Sequence, residues 1–350
     1  MNAEIRQLGK ASPGNLFGKI SNFRKRFKRL IQLKKEFNPS VSVSFLESAD
    51  YLNVITGTGD KKIISIRGSK RYDPHISGVQ GYIRKKILLP FFYRKADKIV
   101  TASKGLKDEI GNDYPSLQKK VIAIPNGFQI NSLPAKNDNA PYFIITWAGR
   151  FGDEKGLDEL VKVFTACYRV NPSFRLLLLG EGVYREKIMK QLLANEINAV
   201  VSNKFSNALF GENAVVFCNP GAEYERYLAM GDLFILTSPS EGFPNVIIEA
   251  MQQGLPVVST DCKWGPREVL EPSLTYQDEI RYPYNGEYGI LLPLFTDESS
   301  FRIWEATLLE LSSDNLRLEY YRKKLETGCR RFDQEEIKQR WIELIEEVIK

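Results

Sequence analysis

Three hundred and fifty residues, 43% hydrophobic and 26% charged, give an ordinary globular composition with room for about two domains, which excludes a disordered chain, a collagen-like repeat and a disulfide scaffold. Four scattered cysteines (Cys167, Cys218, Cys262, Cys329), a polar start from Met1 to Lys10 and the lack of any apolar run of ~18 residues lead to the expectation of a reducing cytoplasm, without a zinc knuckle or a membrane span. The net charge of +6 divides unevenly: residues 1–137 hold 26 Lys and Arg against 10 Asp and Glu, the remainder 23 against 33, so the first part should be drawn to an anionic partner.

Along the chain, Ser40–Leu46 alternates strictly and reads as a strand, as does Lys62–Ile66; Ile99–Ala102 and Val121–Ile124 are two more short apolar runs. Phe23–Phe37 and Tyr82–Arg94 are helical in pattern. A basic run (Lys19, Arg24, Lys25, Arg26, Lys28, Arg29, Lys34, Lys35) is interleaved there with Ile20, Phe23, Phe27, Leu30, Ile31 and Leu33. Its apolar face should pack on a sheet, and its charged face suits an anionic leaflet. Asn131–Pro141, polar and without period, is the best linker.

After it, Phe143–Ala148, Phe174–Leu179, Ala214–Phe217, Leu233–Leu236 and Pro256–Ser259 read as strands. Leu157–Tyr168, Tyr184–Leu193, Tyr224–Met230 and a stretch after Pro244 read as helices. This alternation predicts βαβ units and a parallel sheet covered on both faces. The chain ends in a helical pattern, Gln334–Ile349, with Ile337, Trp341, Leu344 and Val348 on one face.

Open parallel sheets bind ligands beyond the carboxyl ends of their strands. The richest loop there is Thr237–Ala250, T-S-P-S-E-G-F-P-N-V-I-I-E-A. It turns at Gly242 and starts a helix at Pro244 or Asn245, whose free N–H groups make an anion site. Glu241 precedes the helix mouth and Glu249 lies about one turn inside; carboxylates there can accept hydrogen bonds from sugar hydroxyls. A second loop, A-G-R-F-G-D-E-K-G over Ala148–Gly156, brings Arg150 and Lys155 to the same crevice. Gly149 and Gly152 permit tight turning, so the two loops are expected to clamp a diphosphate.

In these motifs the chain resembles glycosyltransferase family 4, the retaining sugar-nucleotide transferases of GT-B fold, in the subgroup that builds bacterial surface polysaccharides. The resemblance lies in Glu241-x7-Glu249 with E-G-F-P-N, in A-M-x-x-G-L-P-V-V-S-T-D, and in G-P-R-E-V-L over Gly265–Leu270. Gly149-Arg150, Lys155-Gly156, Gly180-Glu181-Gly182, Arg94–Ser103 and Pro125-Asn126-Gly127 also fit.

The resemblance implies an α/β fold of two doubly wound Rossmann-like domains facing a cleft: an acceptor-side domain over 1–133, shortened at its start, a linker over 134–141, a nucleotide-sugar domain over 142–325, and a helix over 326–350 crossing back to the first. Arg150 and Lys155 would neutralise the donor diphosphate and Glu241 would hold the transferred sugar. Gly149, Gly182, Gly242, Phe243, Pro244 and Asn245 would line the donor site, and Glu249 would take the ribose hydroxyls. His75, the single histidine, and Arg67 are acceptor-side candidates, while Arg267 and Glu268 suit a tether.

The implied reaction moves a hexose or N-acetylhexosamine from a nucleotide diphosphate sugar, with UDP the expected nucleotide, to a lipid-linked saccharide. It proceeds without metal or cofactor at the cytoplasmic face of an anionic membrane reached through the basic first domain, with no nucleic acid partner. The alternative is a catalytically silent relative that binds nucleotide sugar.

Overall fold

In the computed structural model the chain forms two compact units, Met1–Pro125 with Ile337–Lys350, and Asn126–Glu336. The structure describes residues 6, 8, 16–72, 78–131, 133–134, 141–202 and 210–350.

The first unit contains α1 (Leu16–Phe37), β1 (Val41–Phe45), α2 (Glu47–Val54), β2 (Lys61–Ile66), α3 (Gly78–Ile83), a π-helical turn (Arg84–Leu88), α4 (Leu89–Arg94), β3 (Lys98–Thr101), α5 (Lys104–Asp113), a 3-10 turn (Pro115–Lys120) and β4 (Val121–Ala123). Its described strands pair in parallel in the order β1-β2-β3-β4. Alternation along β2 and β3 sorts their side chains onto two faces. Ile64, Ile66 and Ile99 pack with Leu89, Tyr93 and Ile110 on one side, and Ile63 and Val100 with Ile337, Leu344 and Val348 of the C-terminal helix on the other. Each fully buried Ile or Leu contributes about 1.5–3 kcal/mol.

One member of the basic run on α1 departs from its expected place. Lys34 is buried, and its Nζ donates to Asp60 Oδ2 at 2.7 Å and Asn53 Oδ1 at 2.6 Å. Burial lowers its pKa, and the Asp60 carboxylate opposes that shift. Arg24, Lys25 and Lys28 remain exposed. The apolar side chains of α1 are shallower than a sheet-packing face requires: Ile20 and Phe23 are exposed, and Leu30, Ile31 and Leu33 are half-buried.

The second unit begins with β5 (Phe143–Ala148), a 3-10 turn (Asp153–Lys155), α6 (Leu157–Val170), β6 (Phe174–Leu179), α7 (Arg185–Ala194), β7 (Ala199–Val201), β8 (Val215–Cys218), α8 (Tyr224–Leu228) and β9 (Leu233–Leu236). It continues with α9 (Asn245–Gln252), β10 (Val257–Thr260), α10 (Pro266–Leu270), β11 (Tyr284–Asn285), β12 (Ile290–Leu292), α11 (Glu298–Ser313) and α12 (Asn315–Arg330); the last helix, α13 (Gln334–Ile349), belongs from Ile337 onward to the first unit. Its eight described strands are ordered β11-β12-β10-β9-β5-β6-β8-β7, parallel except for β11 against β12. Trp147, Leu176, Leu178, Phe217 and Ile235 form one buried face with Leu160, Phe164, Ile188 and Trp304 from α6, α7 and α11. On the opposite face α9 lies against β9 and β10.

From β5 the chain winds outward through β6 and β8, then returns through β9 to wind the other way. That reversal opens a crevice at the carboxyl ends of β5 and β9. Among the described residues no helix is long and apolar enough to cross a membrane.

Candidate active site

Two loops leave the crevice. After β5 the chain passes Gly149 to Gly152, makes the turn Asp153–Lys155 and enters α6 through Gly156. Gly156 has φ 64° and ψ 32°, left-handed backbone that favours glycine. A Cβ added there would stand 2.1 Å from the Thr237 carbonyl oxygen at the end of β9. Thr237 Oγ1 in turn donates to the Lys155 carbonyl at 3.0 Å. Held side by side in this way, the loops bring Lys155 Nζ to Glu241 Oε1 at 2.7 Å, both side chains partly shielded from water. The Glu241 backbone is fixed as well: its N–H donates to the Lys263 carbonyl at 2.9 Å, and its carbonyl accepts from Trp264 N–H at 2.8 Å.

Pro244 directly precedes α9, which has no side-chain cap at its start. The N–H groups of Gly242 and Phe243 make no hydrogen bond among the described residues, so the helix mouth keeps donors for an anion. The Phe243 ring is buried edge-on against Phe332, and Asn245 Oδ1 accepts from Asn126 Nδ2 at 2.7 Å. With those side chains engaged, Phe243 and Asn245 present mainly backbone to the crevice.

Inside α9, Glu249 Oε2 accepts from Tyr224 Oη at 2.9 Å, and Oε1 has no hydrogen-bond partner among the described residues. Burial raises the Glu249 carboxyl above the usual range, while the Tyr224 bond pulls it back down. Nothing in the sequence beyond the helical pattern at Tyr224–Met230 ties Tyr224 to a carboxylate 25 positions further on.

Arg150 does not share the contacts of the Lys155–Glu241 pair. Its guanidinium pairs with Glu154, and its side chain is 72% exposed. Gly149 N–H donates to the Leu179 carbonyl and Phe151 N–H to the Glu181 carbonyl, both at 2.9 Å, joining the loops after β5 and β6. Glycine is required at 182 by that packing, since a Cβ would lie 2.3 Å from the Phe151 carbonyl oxygen.

Arg267 is buried and forms a bidentate pair with Asp261, both contacts at 2.7 Å, while its Nη1 donates to the Thr275 and Asp278 carbonyls. That is a tether for the chain after β10. Arg67, at the foot of β2, lays its guanidinium over the Phe45 ring at 5.1 Å, and burial lowers its pKa. His75 lies outside the described residues. Among those described, no group of three or more His, Cys, Asp and Glu is placed to hold a metal, and the four cysteines are buried free thiols.

Residues 142–285 match the protein family described as glycosyl transferases group 1. An uncharacterized glycosyltransferase of Methanocaldococcus jannaschii is 30% identical over 357 residues, 93% of this chain and 84% of that protein. The chain belongs to the group 1 glycosyltransferases. This glycosyltransferase is also 28% identical, over 256 residues, to the N-acetylgalactosamine-N,N'-diacetylbacillosaminyl-diphospho-undecaprenol 4-alpha-N-acetylgalactosaminyltransferase of Campylobacter jejuni; the match covers 72% of the chain and 60% of the relative. Its fold matches Anabaena HepE, solved with UDP and glucose, at a TM-score of 0.73, with 17% identity and 96% and 84% of the two chains covered. The glycosyltransferase therefore has the GT-B fold, two Rossmann-like α/β units, and is related to family 4. Enzymes of this kind transfer a sugar from a nucleotide-diphosphate donor in polysaccharide-related synthesis.

Proposed function

We propose that the enzyme transfers a hexose or N-acetylhexosamine, with retention of anomeric configuration, from a UDP-linked sugar to a lipid-linked saccharide at the cytoplasmic face of a membrane. The observation that carries this reading is the meeting of Lys155 and Glu241 at the β5/β9 reversal, beside the uncapped start of α9. Lys155 and Glu241 are largely shielded from water, so the pair opens only when a ligand offers a partner to both charges. A donor diphosphate can therefore draw Lys155 to its oxygens and release Glu241 to the hydroxyls of the sugar. The N–H groups at Gly242 and Phe243 add neutral donors to the diphosphate, and Glu249 Oε1 accepts from the ribose. Arg150, exposed and able to leave Glu154, supplies a second cation once phosphate is present. His75 and Arg67 remain acceptor-side candidates.

In this scheme the acceptor hydroxyl attacks the anomeric carbon on the face from which the diphosphate leaves. The bond from that carbon to the leaving oxygen breaks, and a phosphate oxygen takes the acceptor's proton. Cationic and N–H groups at the crevice stabilise the departing charge, and losing one should cost ~10²–10³ in turnover.

The test is titration of the purified protein with UDP- and GDP-sugars, wild type against Lys155→Ala. Weaker binding and slower turnover in the variant are expected, with UDP-sugars preferred. Equal affinity in both proteins removes the phosphate assignment, and a product of inverted configuration removes retention.

A further inference from the structure

The first unit contains a cavity of about 840 Å³ that the donor chemistry does not use. Six cations line it, Lys70, Arg71, Lys85, Lys86, Arg94 and Lys95, against one carboxylate, Asp113. Two of the six are already neutralised: Lys70 lies 3.0 Å from Glu47, and Arg71 pairs with Asp113. Lys85, Lys86, Arg94 and Lys95 have no carboxylate partner among the described residues. Four like charges around one concavity repel each other, and that cost is recovered when an anion enters.

The framework beneath them is firm. Tyr114 Oη donates to the Lys85 carbonyl at 2.9 Å, Lys120 Nζ donates to the Arg94 carbonyl at 3.0 Å, and Arg84 is anchored on Glu47. Leu89 and Tyr93 are fully buried in the core behind it. The π-helical turn Arg84–Leu88 interrupts the α-helical spacing at the stretch that supplies Lys85, Lys86 and Ile87 to the cavity.

The second observation comes from the same helical segment. Val79 (76% exposed), Tyr82 (64%), Ile87 (57%) and Phe91 (54%) stand in water. Large apolar side chains exposed together mark an interaction surface. Interleaved with lysine and arginine, whose long stems can extend charge past an apolar layer, they have the composition of a helix lying in a membrane interface. Ile87 and Phe91 belong to both features, since they also line the cavity.

We infer that this cavity seats the phosphate headgroup of an anionic membrane lipid while Val79, Tyr82, Ile87 and Phe91 enter the boundary of the acyl layer. The inference deepens the membrane placement proposed above and gives it an address: the Gly78–Lys95 segment and its groove, apart from the basic helix α1. A soluble anion satisfies only the cations, and an apolar partner satisfies only the exposed ring. A phospholipid surface satisfies both.

The test uses the full chain and sedimentation with vesicles of phosphatidylcholine alone or mixed with phosphatidylglycerol. Binding to the mixed vesicles only is expected. Lys85→Gln/Lys86→Gln should weaken it roughly 30-fold, from about 1 kcal/mol per cation near an anionic surface, and Ile87→Ser/Phe91→Ser should also weaken it. Both variants should keep wild-type turnover of donor with a soluble saccharide acceptor, whereas Lys155→Ala should lose turnover and keep vesicle binding. That crossed pattern separates failure of the groove from failure of the donor site. Equal sedimentation with both vesicles, or variants that bind like wild type, would overturn the inference. So would a groove whose variants lose affinity for inorganic pyrophosphate or RNA but not for vesicles.

Discussion

Gly156→Ala tests whether the close approach of the two loops matters to both the fold and the site. The substitution places a methyl group 2.1 Å from the Thr237 carbonyl oxygen and 2.8 Å from its carbonyl carbon. These are backbone atoms, so no side-chain rotation relieves the contact. Left-handed backbone costs a non-glycine residue ~1–2 kcal/mol, and overpacking typically costs a further 1–3, giving roughly 2–5 kcal/mol in all. In a unit of this size each kcal/mol lowers Tm by about 2–4 °C, so a fall of roughly 4–20 °C is expected.

Ordinary contact begins at 3.4 Å, so the loops must part by about 1.3 Å. Carried to the side chains, that displacement stretches the 2.7 Å contact between Lys155 and Glu241 beyond hydrogen-bond range. Misplacement by ~1 Å can cost 10²-fold in turnover. Gly152→Ala is the control, because its Cβ would meet only the end of the Glu154 side chain, which can swing away. Thermal unfolding, calorimetric donor titration and initial rates on the three proteins decide the matter. If Gly156→Ala melts with the wild type and turns over donor at the same rate, the loops are not held together as described.

Other outcomes follow from particular contacts. Tyr224→Phe removes the hydrogen bond that keeps the Glu249 carboxyl from rising further under burial, so Glu249 should take a proton at higher pH; the acid limb of kcat/KM for donor should move up in pH, and an unmoved limb refutes the role. Asp50 is held protonated by burial, with its pKa pushed from 3.8 to about 7, so the folded state binds a proton that the unfolded chain has released between those values. Stability should therefore decline as pH rises from about 4 to about 7, and Asp50→Asn should flatten that decline in urea melts while matching wild type at the acid end. Arg267→Ala leaves Asp261 buried without its cation, which should cost about 3–5 kcal/mol in unfolding experiments.

Strands were legible where apolar residues dominate a run of four to six positions. Phe143–Ala148, Phe174–Leu179 and Leu233–Leu236 are β5, β6 and β9 to the residue. β7, β11 and β12, two or three residues each, are too short to display a period. That the loops carrying Lys155 and Glu241 lie together was readable because both follow ends of parallel strands; that the two side chains pair with each other was not. The partner of Arg150 was not readable: a flexible cation in a loop pairs with the acid at hand, here Glu154. The basic groove escaped notice for a related reason. Attention to charge density favours Lys19–Lys35, but Lys34 turns inward to Asp60, while Lys70, Lys85 and Arg94 lie far enough apart in sequence that only the fold assembles them.

Charge acts at different ranges in the two halves. The part of the chain that contains the candidate crevice is net acidic, with 33 acidic residues against 23 basic ones, although the ligand proposed for it is an anion. That net charge opposes an anionic donor, and on the reading proposed above binding comes from contacts closer than the screening length of about 8 Å: Lys155, the N–H groups at Gly242 and Phe243, and Arg150 when it turns. The first 137 residues, with 26 cations against 10 acids, attract an anionic surface that comes within that same length, before any contact forms. The two interactions should accordingly part company with salt: association with anionic vesicles falls steeply as ionic strength rises, while donor affinity changes little or improves. The sign of a domain's net charge thus reports on what approaches it from a distance, and the identity of a few residues at strand ends reports on what it holds.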